Sequence, residues 1–209
     1  GGQRRIDINQ ENDSMFQSRI FISTLFTLMV FSSSALAYSP QFVDKEKSIR
    51  LRWKENKIPI YISKSFSDKA INIRAKSDVL GPIQRSLKHW EDVADVKFEI
   101  LFSDKESVNA KESKGDGISL ISIAPTSENL LFFEDNIDSY SAMTRLFYNS
   151  KGEIQESDII LNPIQLFTTD GTFGTFDLEA TLTHEIGHLL GLGHSQVLGS
   201  TMHSHQGTN

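Results

Sequence analysis

The sequence contains no cysteine, which removes disulfides, a thiol nucleophile, thiolate metal sites and a lipid-anchoring cysteine together. A chain of this kind, once exported, has to be held by its core and by any ions it binds. Positive charge is also scarce: 21 lysines and arginines face 27 aspartates and glutamates, for a formal net charge of −6. With no basic stretch to neutralise phosphates, no nucleic-acid partner is expected. Long apolar runs are missing apart from one. Residues 20–31 read IFISTLFTLMVF, well short of the roughly 20 residues that a membrane-spanning helix needs. No internal repeat or low-complexity tract follows Tyr38. What is there, 209 residues at 38% hydrophobic and 23% charged, fits one soluble globular domain.

The one apolar run has a telling context. Arg19 precedes it, Ser-Ser-Ser-Ala-Leu-Ala follows it, and the small residues Ala35 and Ala37 are placed for cleavage before Tyr38. This is the layout of a secretory signal peptide. Residues 1–37 are therefore read as an N-terminal extension plus signal peptide, removed on export; the alternatives are a buried core helix or an uncleaved anchor. Residues 1–14 are polar and precede Met15, so they either lie upstream of the true start or lengthen the charged leader. The expected location is extracellular or periplasmic, with no membrane contact after cleavage, and a monomer is expected.

After the leader, residues 38–50 are polar and read as an extended arm. Residues 57–63 (KIPIYIS) alternate in the manner of a strand. Asp78 can cap a helix whose apolar positions Val79, Ile83, Leu87, Trp90 and Ala94 follow helical spacing, with Pro82 tolerated in its first turn. Residues 96–102 and 117–124 are two more strands, the latter entered through Gly115-Asp116-Gly117 and stopped by Pro125. Residues 142–148 and 154–161 are joined by Asn149-Ser150-Lys151-Gly152, a hairpin signal, so these strands should be antiparallel. Residues 162–176 read as loop. Asp177 then caps a helix with the apolar stripe Leu178, Leu182, Ile186 and Leu189. The fold class is a mixed α/β layer, with the sheet built first.

The segment from Thr183 to Ser195, THEIGHLLGLGHS, carries the chemistry. Helical residues four apart share a face, so His184 and His188 point the same way and can share one zinc ion. A helix cannot bring a third histidine to that ion. Gly191, three residues after His188, can take positive φ, end the helix and turn the chain so that His194 returns towards the metal. Three neutral imidazoles leave the fourth tetrahedral position for water, the mark of a catalytic rather than a closed structural site. Glu185 is displaced around the helix towards that position. Zinc brings its water to a pKa of about 7, and a carboxylate within reach can take the proton and pass it to a leaving amine. Five residues at set spacing, on a predicted helix and the glycine turn that ends it, make this a specific pattern.

HEIGHLLGLGHS resembles the zinc-binding signature of the metzincins, and Met202 falls where their Met-turn methionine is expected. That resemblance implies an apolar floor beneath the zinc from Met202. Ser195 and the step from His194 to Met202 resemble the matrixin branch; Ser204, rather than a tyrosine, stands two residues after the methionine. More weakly, Arg52-Trp53, the helix IQRSLKHW and the segment ESDIILNP resemble microbial matrixin-type domains. The resemblance implies a zincin-like catalytic domain over residues 51–209, with a twisted, mostly parallel five-stranded sheet, an antiparallel edge strand beside the cleft, and two to three helices. Residues 142–148 are the candidate edge, to which an extended protein or peptide substrate would add as a further strand. The implied activity is that of a secreted zinc-dependent metalloendopeptidase.

Three departures from the family pattern stand out. Without cysteine, no cysteine can occupy the open zinc position to keep the protein latent. His89 is the only histidine upstream of the catalytic helix, so no second zinc is assigned; the carboxylates of Asp135, Asp138 and Asp158 would suit calcium, against a solvated acidic loop as the commoner reading. Finally, only HSHQGTN follows Met202, where the family continues into a helix and one wall of the substrate pocket. His203 and His205 read as solvent-exposed. The expectation is truncation or a minimal domain, and the alternative function is a secreted zinc-binding or interaction protein that is catalytically weak because that wall is missing.

Overall fold

In strand Lys57–Ser63 the residues Ile58, Ile60 and Ile62 point to one face and are fully buried, while Tyr61 packs on the other. The period-two pattern therefore sets both the strand and its orientation. The computed structural model describes residues 39–67, 72–74, 76–108, 114–134, 138–204 and 207–209. The leader with its cleavage site, Asp135 and His205 lie outside the described residues. Among the described residues no helix is long and apolar enough to cross a membrane.

The elements run β1 (Ser39–Pro40), β2 (Arg52–Trp53), β3 (Lys57–Ser63), α1 (Leu80–Glu91), β4 (Lys97–Ser103), β5 (Leu120–Ser122), α2 (Ser127–Leu130), β6 (Ala142–Tyr148), β7 (Glu153–Leu161), β8 (Phe167–Thr168), β9 (Phe176–Asp177), α3 (Leu178–Leu189) and β10 (Leu192–Gly193). Parallel pairing links β4 to β3, β3 to β5, and β5 to β7. β6 runs antiparallel along the other side of β7 and forms that edge of the sheet. The mostly parallel sheet with an antiparallel edge strand is thus as expected. Two-residue β2 is an addition, pairing in parallel with the start of β7.

Three boundaries moved, for physical reasons. Strand 117–124 shrinks to β5 because side chains intercept its backbone donors. Gly117 N donates to Glu156, Leu120 N to Asp158 Oδ1 at 3.0 Å, Ile123 N to Ser65 Oγ at 3.1 Å, and Ala124 N to Ser122 Oγ at 3.3 Å. The arm at 38–50 is docked rather than free: β1 pairs antiparallel with β10, and Phe42 bridges Arg50. The 162–176 loop includes β8, paired in parallel with β9. Asp78 does supply a capping bond to α1, from Gly81 N at 3.1 Å, although the helix proper starts two residues later.

One face of the sheet packs on α1 and α3, with Ile83, Leu87, Leu178, Leu182, Ile186 and Leu189 against Ile58, Ile60, Ile159 and Leu161. All four residues of the α3 stripe are fully buried, each worth about 2 kcal/mol of apolar transfer. Asp177 caps α3 by accepting from Ala180 N at 2.7 Å. α1 is tied to α3 by the Trp90 indole, which donates to Thr183 O at 2.7 Å, and by Arg85, 2.7 Å from Glu179. The opposite face holds Leu120 and Ile160 beneath Val108 and Phe133. Covered on both sides, β7 reads as the continuous apolar run Ile159-Ile160-Leu161.

The same buried strand carries two acids, Glu156 and Asp158, on the Ile160 face. Asp158 is 2% exposed, and burial, reinforced by the neighbouring Glu156 charge, pushes its carboxyl up to about 7 against the Leu120 N–H bond. The folded state therefore binds this proton more tightly than the unfolded chain, whose carboxyl titrates near 3.8. The stabilisation is fully present below about pH 4 and is lost as pH rises through about 7. Asp158→Asn keeps an acceptor for Leu120 and has no charge to bury. Urea unfolding of both proteins from pH 4 to 8 should show wild type losing on the order of 4 kcal/mol relative to the variant; parallel stability curves would contradict the buried charge.

Candidate metal centre

α3 places His184, Glu185 and His188 on the turn of helix that borders the cleft, and the loop after it brings in His194. The helix ends where the sequence indicates. Leu190 N still bonds Ile186 O at 3.0 Å, Gly191 N bonds His188 O at 2.8 Å, and Gly191 takes φ +85°. A Cβ on Gly191 would lie 2.8 Å from the Leu51 carbonyl, so the residue is required for space as well as for its dihedral angle. The Trp53 indole satisfies the Leu189 carbonyl at 2.8 Å.

Each of the first two imidazoles is oriented by a main-chain carbonyl. His184 Nδ1–H donates to Thr201 O and His188 Nδ1–H to Leu192 O, both at 2.7 Å. Carbonyls only accept, so the proton is on Nδ1 and the Nε2 lone pair is free. Burial lowers the pKa of both rings and so favours their neutral form. His188 Nε2 lies 3.0 Å from His184 Nε2 and 3.2 Å from His194 Nε2. Unprotonated nitrogens converging in this way repel unless a cation lies between them. Tetrahedral zinc with bonds of about 2.0–2.1 Å needs its ligands about 3.3 Å apart, and this donor set fits it. Among the described residues this triad is the one group of three or more side chains suited to a metal.

Met202 is 1% exposed and packs against α3 at Gly187, where a Cβ would lie 2.2 Å from its sulfur. Its turn serves the site twice, since the preceding Thr201 supplies the carbonyl for His184. Ser195 N bonds Met202 O at 2.7 Å, closing the loop between the third histidine and the methionine. Ser204, the residue two after the methionine, lines the cleft. His89 sits on the surface of α1, 3.1 Å from Glu179.

The cleft, about 240 Å³, is bounded by the three histidines, Glu185, Ser139–Thr144 along the start of β6, Gln41 and Ser204. Glu185 is buried, and desolvation raises its pKa. Its partner is Thr144 of β6, whose hydroxyl is 2.5 Å from Oε2 and 3.2 Å from the Glu185 carbonyl. Thr144 and Gln41 were missed by the sequence reading. Thr144 had one available signal, its place in the candidate edge strand; Gln41 had none.

A helix with two histidines and a glutamate, a glycine turn to a third histidine, a buried methionine behind them and an antiparallel edge strand beside the cleft together define a metzincin-type metallopeptidase. The matrixin model of peptidase family M10 matches residues 52–208, and the chain belongs to that family. No individual curated protein matches it.

Gly191 supports a direct test. Gly191→Ala forces a side chain into positive φ and into the Leu51 carbonyl, at a cost of about 2 kcal/mol or more. Thermal melting in the presence of chelator should show the loss without metal, and zinc titration should show weaker binding because His194 is displaced.

Proposed function

We propose that this protein is an exported zinc-dependent endopeptidase that cuts extended segments of protein substrates. The observation that carries the reading is the buried Glu185 carboxylate, which opens into the same cleft as three converging imidazole nitrogens, beside the outer edge of β6. The leader-like segment upstream of Tyr38 supports export.

β6 pairs only with β7 among the described residues, so its outer backbone can bond an extended peptide as an added strand. This favours unfolded or loop segments over folded domains. Zinc, when bound by His184, His188 and His194, supplies Lewis acidity towards the peptide carbonyl and acidifies water to a pKa of about 7. Glu185 takes a proton as water oxygen adds to the carbonyl carbon. It then gives that proton to the amine nitrogen as the C–N bond breaks. One carboxylate serves both roles because its proton is gained and returned within a single turnover. Thr144 holds Oε2 in place, and Glu185 borders the cleft.

Glu185→Gln should keep one zinc per chain and lose about 100-fold or more in kcat/KM on casein or a quenched peptide. Unchanged cleavage with zinc bound would remove Glu185 from the reaction. A wild-type chain that binds zinc and cuts nothing in a broad peptide library would instead favour a zinc-binding protein. Thr144→Val removes a hydrogen bond to a charged group, worth about 1.5–3 kcal/mol. The expected result is a fall in kcat of about tenfold or more with zinc affinity unchanged, and recovery in Thr144→Ser.

A further inference from the structure

The segment that presents His194 has no regular structure of its own beyond the two residues of β10, and its carbonyls are held from outside by the N-terminal arm. Gln41 N donates to Gly191 O at 2.8 Å. Gln41 Nε2 donates to Leu192 O at 2.8 Å. Ser39 Oγ donates to His194 O at 2.9 Å. The pairing of Ser39 with Gly193 and Pro40 with Leu192 sets this register, and Leu51 N locks the arm by bonding Gln41 O at 2.9 Å.

The Leu192 carbonyl is the critical atom. It accepts from Gln41 Nε2 and, at 2.7 Å, from His188 Nδ1. A carbonyl has two lone pairs, so both bonds can form together. Fixing this oxygen from one side fixes the ring it orients on the other. The arm thus acts on two of the three histidines, on His188 through a shared carbonyl and on His194 through its own. Partners of this outer kind set ring orientation and ligand basicity, and losing one typically costs about 10–100-fold in metal affinity.

We propose that residues 39–41 are part of the metal centre, with Gln41 as a positioning residue that holds the Leu192 carbonyl against His188 and, together with Ser39, seats His194. This rests on the reading that the three histidines bind zinc, and it is independent of whether the protein cleaves peptides. Gln41→Met keeps the length of the side chain and its main-chain bonds but cannot donate; Ser39→Ala removes the other contact. The readouts are the zinc Kd, by competition with a chelating indicator, and melting temperatures with and without zinc.

Gln41→Met is expected to raise the zinc Kd about tenfold or more and to shrink the zinc-induced rise in melting temperature, with the metal-free melting temperature little changed. Ser39→Ala should act in the same direction, and the double variant should exceed either. A wild-type Kd in Gln41→Met overturns the proposal. So does an equal drop in melting temperature with and without zinc, which marks a purely structural residue. A wild-type chain that binds no zinc defeats the underlying reading instead, and His194→Ala supplies the reference for a site lacking one ligand.

Discussion

Three imidazoles converge through their Nε2 atoms, that of His188 lying 3.0 Å from that of His184 and 3.2 Å from that of His194, and helix, turn and loop together have to hold them there. Much of the surrounding structure can be traced to that constraint. α3 cannot satisfy it alone, because helical geometry supplies only two of the nitrogens. The third comes from a turn that needs positive φ at Gly191 and a gap where a Cβ would meet the Leu51 carbonyl. Rotation of the rings is stopped by the carbonyls of Thr201 and Leu192, one from the methionine turn and one from the loop after α3. Burial favours the neutral form of His184 and His188, while His194 stands exposed at the mouth of the site.

The helix is consequently committed on more than one side. Its apolar stripe is spent on the sheet, its histidines on the cleft, and Gly187 on the close approach of Met202 and Trp90. α1 serves as a brace, since the Trp90 indole both bonds Thr183 O and lies near Gly187. The edge strand is linked to the same helix through Thr144 and Glu185. The backbone proposed to receive substrate and the carboxylate proposed to move the proton are therefore joined by one hydrogen bond.

What could be read from the sequence follows the range of the interactions involved. α3, its cap at Asp177, its buried stripe and its end at Gly191 depend on neighbours within a few residues, and they stand as expected. β3 and β6 were readable because alternation is a local signal. β5 came out shorter because its donors are captured by Asp158, Glu156 and Ser65, which lie far along the chain and whose reach leaves no mark on residues 117–124. Gln41 meets its carbonyl across 151 residues and Thr144 its carboxylate across 41. A glutamine in a polar arm looks like any solvated residue, and a main-chain carbonyl has no letter in the sequence at all. The reading thus named the three histidines that converge at the cleft and missed Gln41 and Thr144 beside them.

The pairing of β1 with β10 has a consequence for the order in which the chain assembles. It joins segments 155 residues apart at Ser39 and His194, so forming it early would close almost the whole described chain into one loop before any contact offset the lost entropy. Sheet pairing and the docking of α3 shorten that closure to a local event, and contacts of such separation come cheaply only afterwards. The entropy of closure thus favours fastening the outer wall of the histidine site on to a sheet and helix that already exist.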